Sequence, residues 1–326
     1  MTTHAWQPTA TIATLKQRAI LLGKIRAFFA ERNIFEVETP LLCHSSVTAL
    51  HLHSFKSEYL NDDHSIKETL YLQTSPEYAM KRLLSAGSGS IYQICKAFRN
   101  AGESGRMHNP EFTMLEWYHP GFNHHDLMNE MDELLQAILN TSTADRFTYT
   151  ELFVQQVGIA PHIASIEQLQ KIAADQGINE IAQLDKTDKD NWLFLLMSHI
   201  IEPKLGQTKP VFIYDFPASQ AALAKIRQAD PPVAERFEVY YKGVELANGF
   251  HELSDAKEQH ARFLKDLEKR KAAGYPSLPI DKRFLAGLEH GLPDCAGVAV
   301  GIDRLIMLAI GLDKISEVIA FPVERA

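Results

Sequence analysis

Two stretches of alternating sequence, 91–98 and 112–118, constrain the fold of this chain most strongly. Both contain β-branched and aromatic residues at strand spacing, which is typical of β-strands. The segment that joins them contains Gly102, Gly105 and Pro110, residue types that favour turns. The pattern therefore predicts an antiparallel hairpin with a long connecting loop.

Helical and strand patterns follow one another along the rest of the chain and predict an α+β domain, an antiparallel sheet flanked by helices. Ser75-Pro76-Glu77 predicts a helix start, with the serine as N-cap and the proline at the first helical position. Residues 141–210 carry no chemical motif and predict a helical insertion within a single domain, 1–326. Further helices are predicted at 11–32, 125–140 and 302–310, and further strands at 34–39, 70–74, 211–216, 237–241 and 298–300.

The composition and the net charge exclude some classes of protein. The chain has 326 residues, 45% of them hydrophobic, and a formal net charge of −8. This charge argues against binding of nucleic acid through general basicity and counts against a tRNA partner, although it leaves a local basic patch open. Three scattered cysteines, no secretory signal pattern and no apolar run long enough to cross a membrane favour a cytoplasmic protein without a membrane partner.

Three arginines occupy positions suited to binding phosphates. Arg99 ends a predicted strand, Arg106 lies in the glycine-containing loop, and Arg304 opens a helix just after Gly301. A guanidinium group pairs with two phosphate oxygens at once, and a glycine lets a nucleotide approach the backbone. The pattern predicts a polyphosphate clamp, although the spacing alone also fits unrelated surface salt bridges.

Two glutamates on a predicted hairpin indicate a cation site. A turn at Lys242-Gly243 places Tyr240 opposite Glu245 and Glu238 opposite Ala247, so the two glutamates are diagonal neighbours. Close carboxylates need a cation or a shared proton, and Mg²⁺ with a nucleotide is a natural partner. A solvated acidic face is the alternative.

The segment 245–252 suggests a pocket for a diammonium ligand. A turn or bulge at Asn248-Gly249 lets Asn248, Phe250 and Glu252 share one face. Glu116 and Tyr118 share a face of their own strand. Acids would hold the ammonium groups and rings the aliphatic stem, while a partly buried hydrogen-bond network is the alternative.

The remaining chemically active side chains have ordinary interpretations. His44, His51, His53 and the pair His124-His125 have no cysteine or acid frame around them in sequence, so we expect surface histidines rather than metal ligands. Cys95 is interpreted as a core residue of its strand.

The catalytic patterns together resemble class II aminoacyl-tRNA synthetases of the lysyl branch. Phe98-Arg99-Asn100, Arg106 and 108–118 look like motif 2 of that family, 34–40 looks like motif 1, and 297–304 looks like motif 3. Ser75-Pro76-Glu77 and 245–252 also resemble the lysyl branch. The match extends in order over about 15–322. It implies the synthetase catalytic fold, ATP as substrate with Mg²⁺, and a homodimer formed through motif 1.

Because motif 1 begins within the first forty residues, we expect no anticodon-binding OB-fold before it. The chain thus resembles a truncated bacterial branch of the family that ligates (R)-β-lysine to a lysine of translation elongation factor P. The segments 6–8, 216–220 and 237–243 are similar to that branch. A minimal tRNA-charging enzyme and a non-catalytic regulatory paralog are the alternatives left open.

The resemblance implies a role for each matched position. Arg99 and Arg304 are the expected catalytic residues, and Glu238 and Glu245 the Mg²⁺ ligands. The expected ATP-binding residues are Arg99, Asn100, Ala101, Glu103, Arg106, Asn109, Phe112, Glu245, Leu246, Gly301 and Arg304. The expected pocket for the amino acid comprises Ser75, Pro76, Glu77, Glu116, Tyr118, Asn248, Phe250, Glu252 and Ala299.

Two positions depart from the lysyl pattern. Ala101 stands where motif 2 has an acid, and Glu103 is a candidate to replace that acid. Ala299 stands where lysyl-tRNA synthetases have glycine in motif 3. Its extra methyl would disfavour an α-amino group and leave room for a β-amino group.

Overall fold

The computed structural model describes residues 6–101, 105–178 and 185–326. The helices are α1 (Ile12–Glu31), α2 (Glu77–Ser85), α3 (His124–Leu139), α4 (Tyr149–Val157), α5 (Ile166–Asp175), α6 (Lys189–Leu196), α7 (Ala256–Ala272), α8 (Lys282–Gly291) and α9 (Ile302–Ala309). The strands are β1 (Phe35–Glu36), β2 (Leu42–Cys43), β3 (Lys56–Leu60), β4 (Ile66–Leu72), β5 (Ile91–Phe98), β6 (Glu111–Pro120), β7 (Asp145–Thr148), β8 (Val211–Pro217), β9 (Ile226–Arg227), β10 (Val233–Tyr241), β11 (Val244–His251) and β12 (Cys295–Gly301).

The chain forms two compact units. The first contains the described residues up to Gly121 together with Leu253–Ala326, and the second contains Phe122–Glu252. The single domain and the insertion at 141–210 expected from the sequence stay predictions.

The first unit is organised around the predicted hairpin. β5 and β6 pair antiparallel from Ile91 opposite Tyr118 to Phe98 opposite Glu111, which confirms that prediction. β12 joins β6 antiparallel, and the short β1 adds to β5 in parallel. The strands β2, β4 and β3 form a separate small sheet.

Apolar residues at helical spacing attach α1 to this sheet. Phe29 is fully buried, stacks on Tyr92 with 4.3 Å between ring centroids, and meets Trp117 edge-on at 5.2 Å. Burial of such large rings stabilises the helix far more than its intrinsic propensity does. This contact holds α1 against one face of the sheet that contains the β5–β6 hairpin.

The second unit contains its own core and the strands β7 to β11. β10 pairs antiparallel with β11, β8 and the short β9, and β7 lies parallel to β8. The helices α4, α5 and α6 bury a cluster against β8 that includes Tyr149, Phe153, Trp192 and Phe216. The capping boxes at Thr148 and Ser165 explain where α4 and α5 begin.

Two local predictions need correction. The helix after Ser75 begins at Glu77, with Pro76 in the cap position and no side-chain cap bond. The Ser75 hydroxyl instead accepts a hydrogen bond from the Glu77 backbone N–H at 3.1 Å. The strand predicted at 34–39 is also shorter, since only Phe35–Glu36 pairs with β5. Among the described residues, every helix is too short or too polar to cross a membrane.

Candidate active site

Arg99 and Phe112 lie together at the open end of the β5–β6 hairpin. The Arg99 backbone N–H donates to the Pro110 carbonyl at 2.9 Å, which continues the ladder past the strand end. The guanidinium carbon of Arg99 lies 5.1 Å from the centroid of the Phe112 ring. A guanidinium over an aromatic face is held in place while its N–H groups can still bind an anion. This is the arrangement that a clamp for a nucleotide needs.

Arg304 is held against the loop of the same hairpin. It lies in the first turn of α9, just after Gly301. Its Nε donates to the Met107 carbonyl at 3.2 Å, and one terminal nitrogen lies 2.7 Å from His108 Nε2. The structure thus brings Arg304 to the motif 2 loop, as the resemblance implies.

Asp303, which sequence reasoning missed, ties these parts to α1. Its buried carboxylate accepts the Thr113 backbone N–H at 2.7 Å and pairs with Arg18 at 2.6 Å. Arg18 also donates to the Thr113 hydroxyl at 2.9 Å. Buried charge-assisted bonds of this kind fix the relative position of α1, β6 and α9. One signal of this role was visible in the sequence, the position of an acidic residue directly before Arg304.

Arg106 and Asn109 make structural contacts in the described loop. Arg106 donates to the Asp313 carbonyl at 2.5 Å and pairs with the Asp313 carboxylate at 2.9 Å, with 59% of its side chain exposed. The Asn109 amide donates to the Glu111 carbonyl at 2.5 Å and accepts the Val323 N–H at 3.1 Å. The Asn109 side chain thus links the start of β6 to the C-terminal segment at Val323.

The neighbouring candidates Asn100, Ala101 and Glu103 are less defined. The Asn100 N–H donates to the His53 carbonyl at 2.7 Å, and Ala101 has a left-handed φ of 67°. A left-handed alanine is uncommon and marks a sharp change of chain direction. Glu103 lies outside the described residues, so its role as a substitute acid stays a prediction.

Glu116 is the centre of a buried polar pocket in the first unit. Its side chain is 2% exposed; Tyr118 donates to Oε1 at 2.6 Å and Ser75 to Oε2 at 2.7 Å. Burial first, and then the charge of Glu77, raise the pKa of Glu116 to about 7, against the effect of these hydrogen bonds and of Lys81. The group can therefore gain or lose a proton near neutrality, and an ammonium ligand would favour its ionised form.

Glu77 and Ala299 also belong to this pocket. Lys81, which sequence reasoning missed, pairs with Glu77. The Lys81 ammonium, 1% exposed, lies 2.6 Å from Glu77 Oε1 one helical turn away. Ala299 stands directly opposite Glu116 across the β6–β12 pair. The spacing of Lys81 from Glu77 could have signalled the pair, since residues four apart meet on a helix.

In the second unit, Glu238 is enclosed by its own strand. Arg236 pairs with Oε1, and the Tyr240 hydroxyl donates to Oε2 at 2.7 Å. Burial raises the pKa of Glu238; the Arg236 charge opposes the shift and the Glu245 charge adds to it. Arg236 was missed, although the alternation of Arg236, Glu238 and Tyr240 places all three on one face.

The residues fit a magnesium ion carried with a nucleotide. Glu245 is close enough to raise the pKa of Glu238, so a divalent cation near both would relieve their repulsion. Glu245 and Glu238 would hold such an ion, which would supply charge neutralisation for phosphate oxygens. Glu238 is buried and binds Arg236 and Tyr240, whereas Glu245 is partly exposed, so Glu245 is the more accessible to such an ion.

The predicted register of the β10–β11 hairpin is wrong by one residue. Tyr240 does stand opposite Glu245, but Glu238 stands opposite Asn248 rather than Ala247. The shift between Val239 and Tyr240 leaves Leu246 as the extra residue of a β-bulge. The bulge therefore lies at Leu246 and not at Asn248-Gly249.

Gly249 serves packing rather than a turn. A Cβ at this position would lie 2.4 Å from the Phe237 ring, so only glycine fits opposite this buried phenylalanine. The strand β11 therefore runs straight through Asn248-Gly249, and Asn248 and Phe250 share a face. Arg236 Nε donates to the Asn248 side-chain oxygen at 3.1 Å. Glu252, 1% exposed, follows the strand and bridges to Ala224.

The expectation that His124 lies on the surface is wrong, because His124 is buried in a second polar cluster of this unit. His124 is 1% exposed, and ligand atoms of His124, Glu235 and His251 lie within 4.8 Å of one another. Cations already accompany the acids: Arg227 binds Asp215 at 2.5 Å and Glu235 at 3.4 Å, and Lys225 lies 3.1 Å from His251. We interpret the cluster as a charge-balanced ion network rather than a metal centre.

The fold and these motifs define the family. The model of class II tRNA synthetases (D, K and N) matches residues 5–325. The chain belongs to this family, and the fold class predicted from the motifs is confirmed.

Similarity to individual curated proteins extends over whole chains. The elongation factor P–(R)-β-lysine ligase of Vibrio cholerae serotype O1 is 58% identical over 326 residues, which cover 100% of both chains. The ligase of the same name from Photobacterium profundum is 56% identical over 98% of this chain and 99% of its own. That of Edwardsiella ictaluri is 52% identical over 99% and 98%.

Proposed function

We propose that this protein activates (R)-β-lysine with ATP and transfers it to the ε-amine of a lysine of elongation factor P. The observation that carries the proposal is whole-length similarity of 52–58% to ligases of that name. The site supports it, because Arg99, Arg304 and the Glu116 pocket supply contacts for phosphates and for ammonium groups.

In the first step, the carboxylate of β-lysine attacks the α-phosphorus of ATP. A bond forms between the carboxylate oxygen and phosphorus, the α–β phosphoanhydride bond breaks, and pyrophosphate leaves. Arg99 and Arg304 would neutralise the charge that develops on the phosphates, and positioning by the pocket would align the carboxylate. Magnesium held by Glu245 and Glu238 would add to this neutralisation.

In the second step, a neutral lysine amine of the protein substrate attacks the acyl carbon of the adenylate. An amide bond forms, the bond between the acyl carbon and the phosphate oxygen breaks, AMP leaves and the amine proton passes to solvent. The amine must lose its proton, since a free lysine has a pKa of about 10.4. Because a translation factor is the acceptor, we place the reaction in the cytoplasm.

The amino-acid pocket supports β-lysine over α-lysine. Ala299 and Glu116 share a face of the β6–β12 pair, so the methyl group stands beside the carboxylate that would hold an ammonium. Ser75, Pro76, Glu77 and Tyr118 are assigned to the same pocket. For Asn248, Phe250 and Glu252 of the second unit, contacts with the amino acid are what the resemblance implies. ATP contacts are assigned to Asn100, Ala101, Asn109, Phe112, Leu246 and Gly301, and the assignment of Arg106 is weaker because of its pairing with Asp313.

A homodimer is part of the proposal. Apolar side chains are exposed on α1, on the motif 1 strand β1 and on β2: Ile20 is 61%, Phe35 51% and Leu42 47% exposed. Exposed apolar groups of this size on neighbouring elements favour an interface between protein chains. Sedimentation of the purified protein should give twice the monomer mass, and a monomer at micromolar concentration would contradict the assignment.

Amino-acid-dependent exchange of pyrophosphate into ATP tests the activation step. We expect exchange with (R)-β-lysine to exceed exchange with α-lysine, measured as kcat/KM on one preparation. Activity with α-lysine and tRNA charging would favour a minimal synthetase instead. No exchange with any lysine isomer would favour a non-catalytic paralog.

A further inference from the structure

Lys81 is the most deeply buried cation near the amino-acid pocket in the described part of the first unit. It lies on α2 with 1% of its side chain exposed, and its ammonium is 2.6 Å from Glu77 Oε1. The ammonium also lies 5.8 Å from the centroid of the Phe284 ring. A buried ammonium is costly unless its partners hold it in good geometry, so its presence calls for an explanation.

The charges around Glu116 show what Lys81 can do. Glu77 and Lys81 approach Glu116 from α2, Tyr118 lies on the same strand, and Cys95 lies on β5. Glu77 favours the protonated form of Glu116, and Lys81 favours the ionised form. Burial raises the pKa of Cys95 to about 12, so this thiol adds no charge at neutral pH.

An ammonium ligand needs one ionised carboxylate that can accept it. Glu116 has both oxygens supported by hydroxyl donors, from Tyr118 and Ser75, so its orientation is fixed before a ligand arrives. Glu77 is bound to Lys81, and one of its oxygens is therefore already committed. Glu116 is therefore the acid oriented to accept the ammonium ligand, and Glu77 is the acid that pairs with Lys81.

We propose that Lys81 is a positioning residue of the amino-acid pocket: its buried ammonium holds the Glu77 carboxylate in place, so that the acids of the pocket are oriented to receive an ammonium group of the substrate. This inference rests on the proposed function, because it presumes an amino acid with two ammonium groups. Lys81 touches no reacting atom in this account. It acts through Glu77 and Glu116.

The first experiment compares variants in the pyrophosphate exchange assay. Lys81→Met should raise the KM for (R)-β-lysine about tenfold or more while the KM for ATP changes less than about twofold, since one buried charge contact is lost. The pH at which kcat/KM for the amino acid falls on the acidic side should rise by about one unit, as expected when a nearby opposite charge is removed. Lys81→Arg should restore most of the loss.

Arg262→Met is the matched control. Arg262 pairs with Glu258 at the same spacing on α7, on the surface of the same unit. It should leave both KM values and the pH profile unchanged. An equal loss in both variants, or an unchanged KM and pH profile in Lys81→Met, would overturn the role of Lys81. No exchange by the wild-type protein with either lysine isomer would instead overturn the proposed function itself and the inference with it.

Calorimetry on the wild-type protein keeps the test open if Lys81→Met does not fold. Binding of (R)-β-lysine at pH 7 in two buffers of different ionisation enthalpy gives the number of protons released. We expect a release of a fraction of one proton, and we expect Glu116→Gln to abolish it. No release by the wild-type protein, or an unchanged release in Glu116→Gln, would show that Glu116 is not the acceptor and would overturn the inference.

Discussion

Ala299 stands directly opposite Glu116 on adjacent antiparallel strands. Directly opposed residues project to the same face, about 5 Å apart at Cβ. The methyl group therefore shapes the space beside a buried carboxylate whose pKa is about 7. The sequence supported the specificity argument only through family resemblance. The strand pairing shows where in the fold the methyl group of that argument lies.

Ala299→Gly should relax the preference for the β-amino acid. Removing one methyl from a pocket changes discrimination by about 1–3 kcal/mol, so the ratio of kcat/KM values for (R)-β-lysine and α-lysine should fall about tenfold or more. Ala296→Gly is the control, because Ala296 lies on the opposite face of the same strand. An equal change of selectivity in both variants would contradict the assignment.

Glu116→Gln should change how stability depends on pH. A carboxyl whose folded pKa is raised contributes stability at low pH, and that contribution is lost as the pH rises through the folded value. A shift from 4.5 to about 7 corresponds to about 3 kcal/mol lost between about pH 4.5 and pH 8. Urea unfolding should show this loss in the wild-type protein but not in Glu116→Gln.

The control for that experiment is Glu111→Gln, which removes an exposed carboxylate at the start of the same strand. Its unfolding free energy should follow the wild-type pH dependence. Parallel curves for the wild-type protein and Glu116→Gln would show that folding does not raise the pKa of Glu116.

Arg304→Ala should impair the reaction of ATP, and Glu252→Gln should impair the binding of the amino acid. Loss of a guanidinium that stabilises phosphate charge should lower kcat for activation about 100-fold or more. Loss of one buried charge should raise the KM for the amino acid about tenfold or more and leave the KM for ATP nearly unchanged. Exchange kinetics with each substrate varied in turn measure both effects. Identical effects of the two variants on both substrates would refute the division.

Glu245→Gln should increase the magnesium requirement more than Glu238→Gln does. Glu238 is buried with both oxygens bonded to Arg236 and Tyr240, whereas Glu245 is partly exposed and therefore more accessible to the ion. The half-saturating Mg²⁺ concentration for exchange, at fixed ATP, is the measurement. Glu202→Gln should match the wild-type protein, because Glu202 accepts a hydrogen bond from the Tyr240 hydroxyl and is not assigned to the ion. A larger effect for Glu238→Gln would reverse the assignment.

Gly249→Ala should destabilise the protein by about 1–3 kcal/mol, because the new Cβ would overlap the buried Phe237 ring. Gly23→Ala on α1 provides the opposite expectation, since a Cβ there meets open space and alanine favours the helix by about 1 kcal/mol. Denaturant unfolding measures both. Recovery in Gly249→Ala/Phe237→Leu would confirm the cause, and a neutral Gly249→Ala would contradict the packing argument.

Local patterns predicted the hairpin of β5 and β6 and the helix after Gly301. Each depends on neighbours in sequence, where strand alternation and cap chemistry decide the outcome. The likeness to known motifs extended these local signals to a fold, which the family match confirms.

The errors and omissions depend on distant partners. The bulge at Leu246 moved Glu238 opposite Asn248, and the packing of Gly249 against Phe237 kept the strand straight where a turn was expected. His124 is buried beside residues far away in sequence, contrary to expectation. Lys81, Arg236 and Asp303 were missed for the same reason, since a charged residue is buried only when tertiary partners balance it.

The mass of elongation factor P after reaction tests the central claim most directly. Purified factor is incubated with the protein, ATP, Mg²⁺ and (R)-β-lysine, and its intact mass is measured beside a reaction with Arg304→Ala. We predict a gain equal to one β-lysyl group on a single lysine, dependent on ATP and absent with the variant. An unchanged mass in the presence of protein that catalyses β-lysine-dependent pyrophosphate exchange would contradict the account.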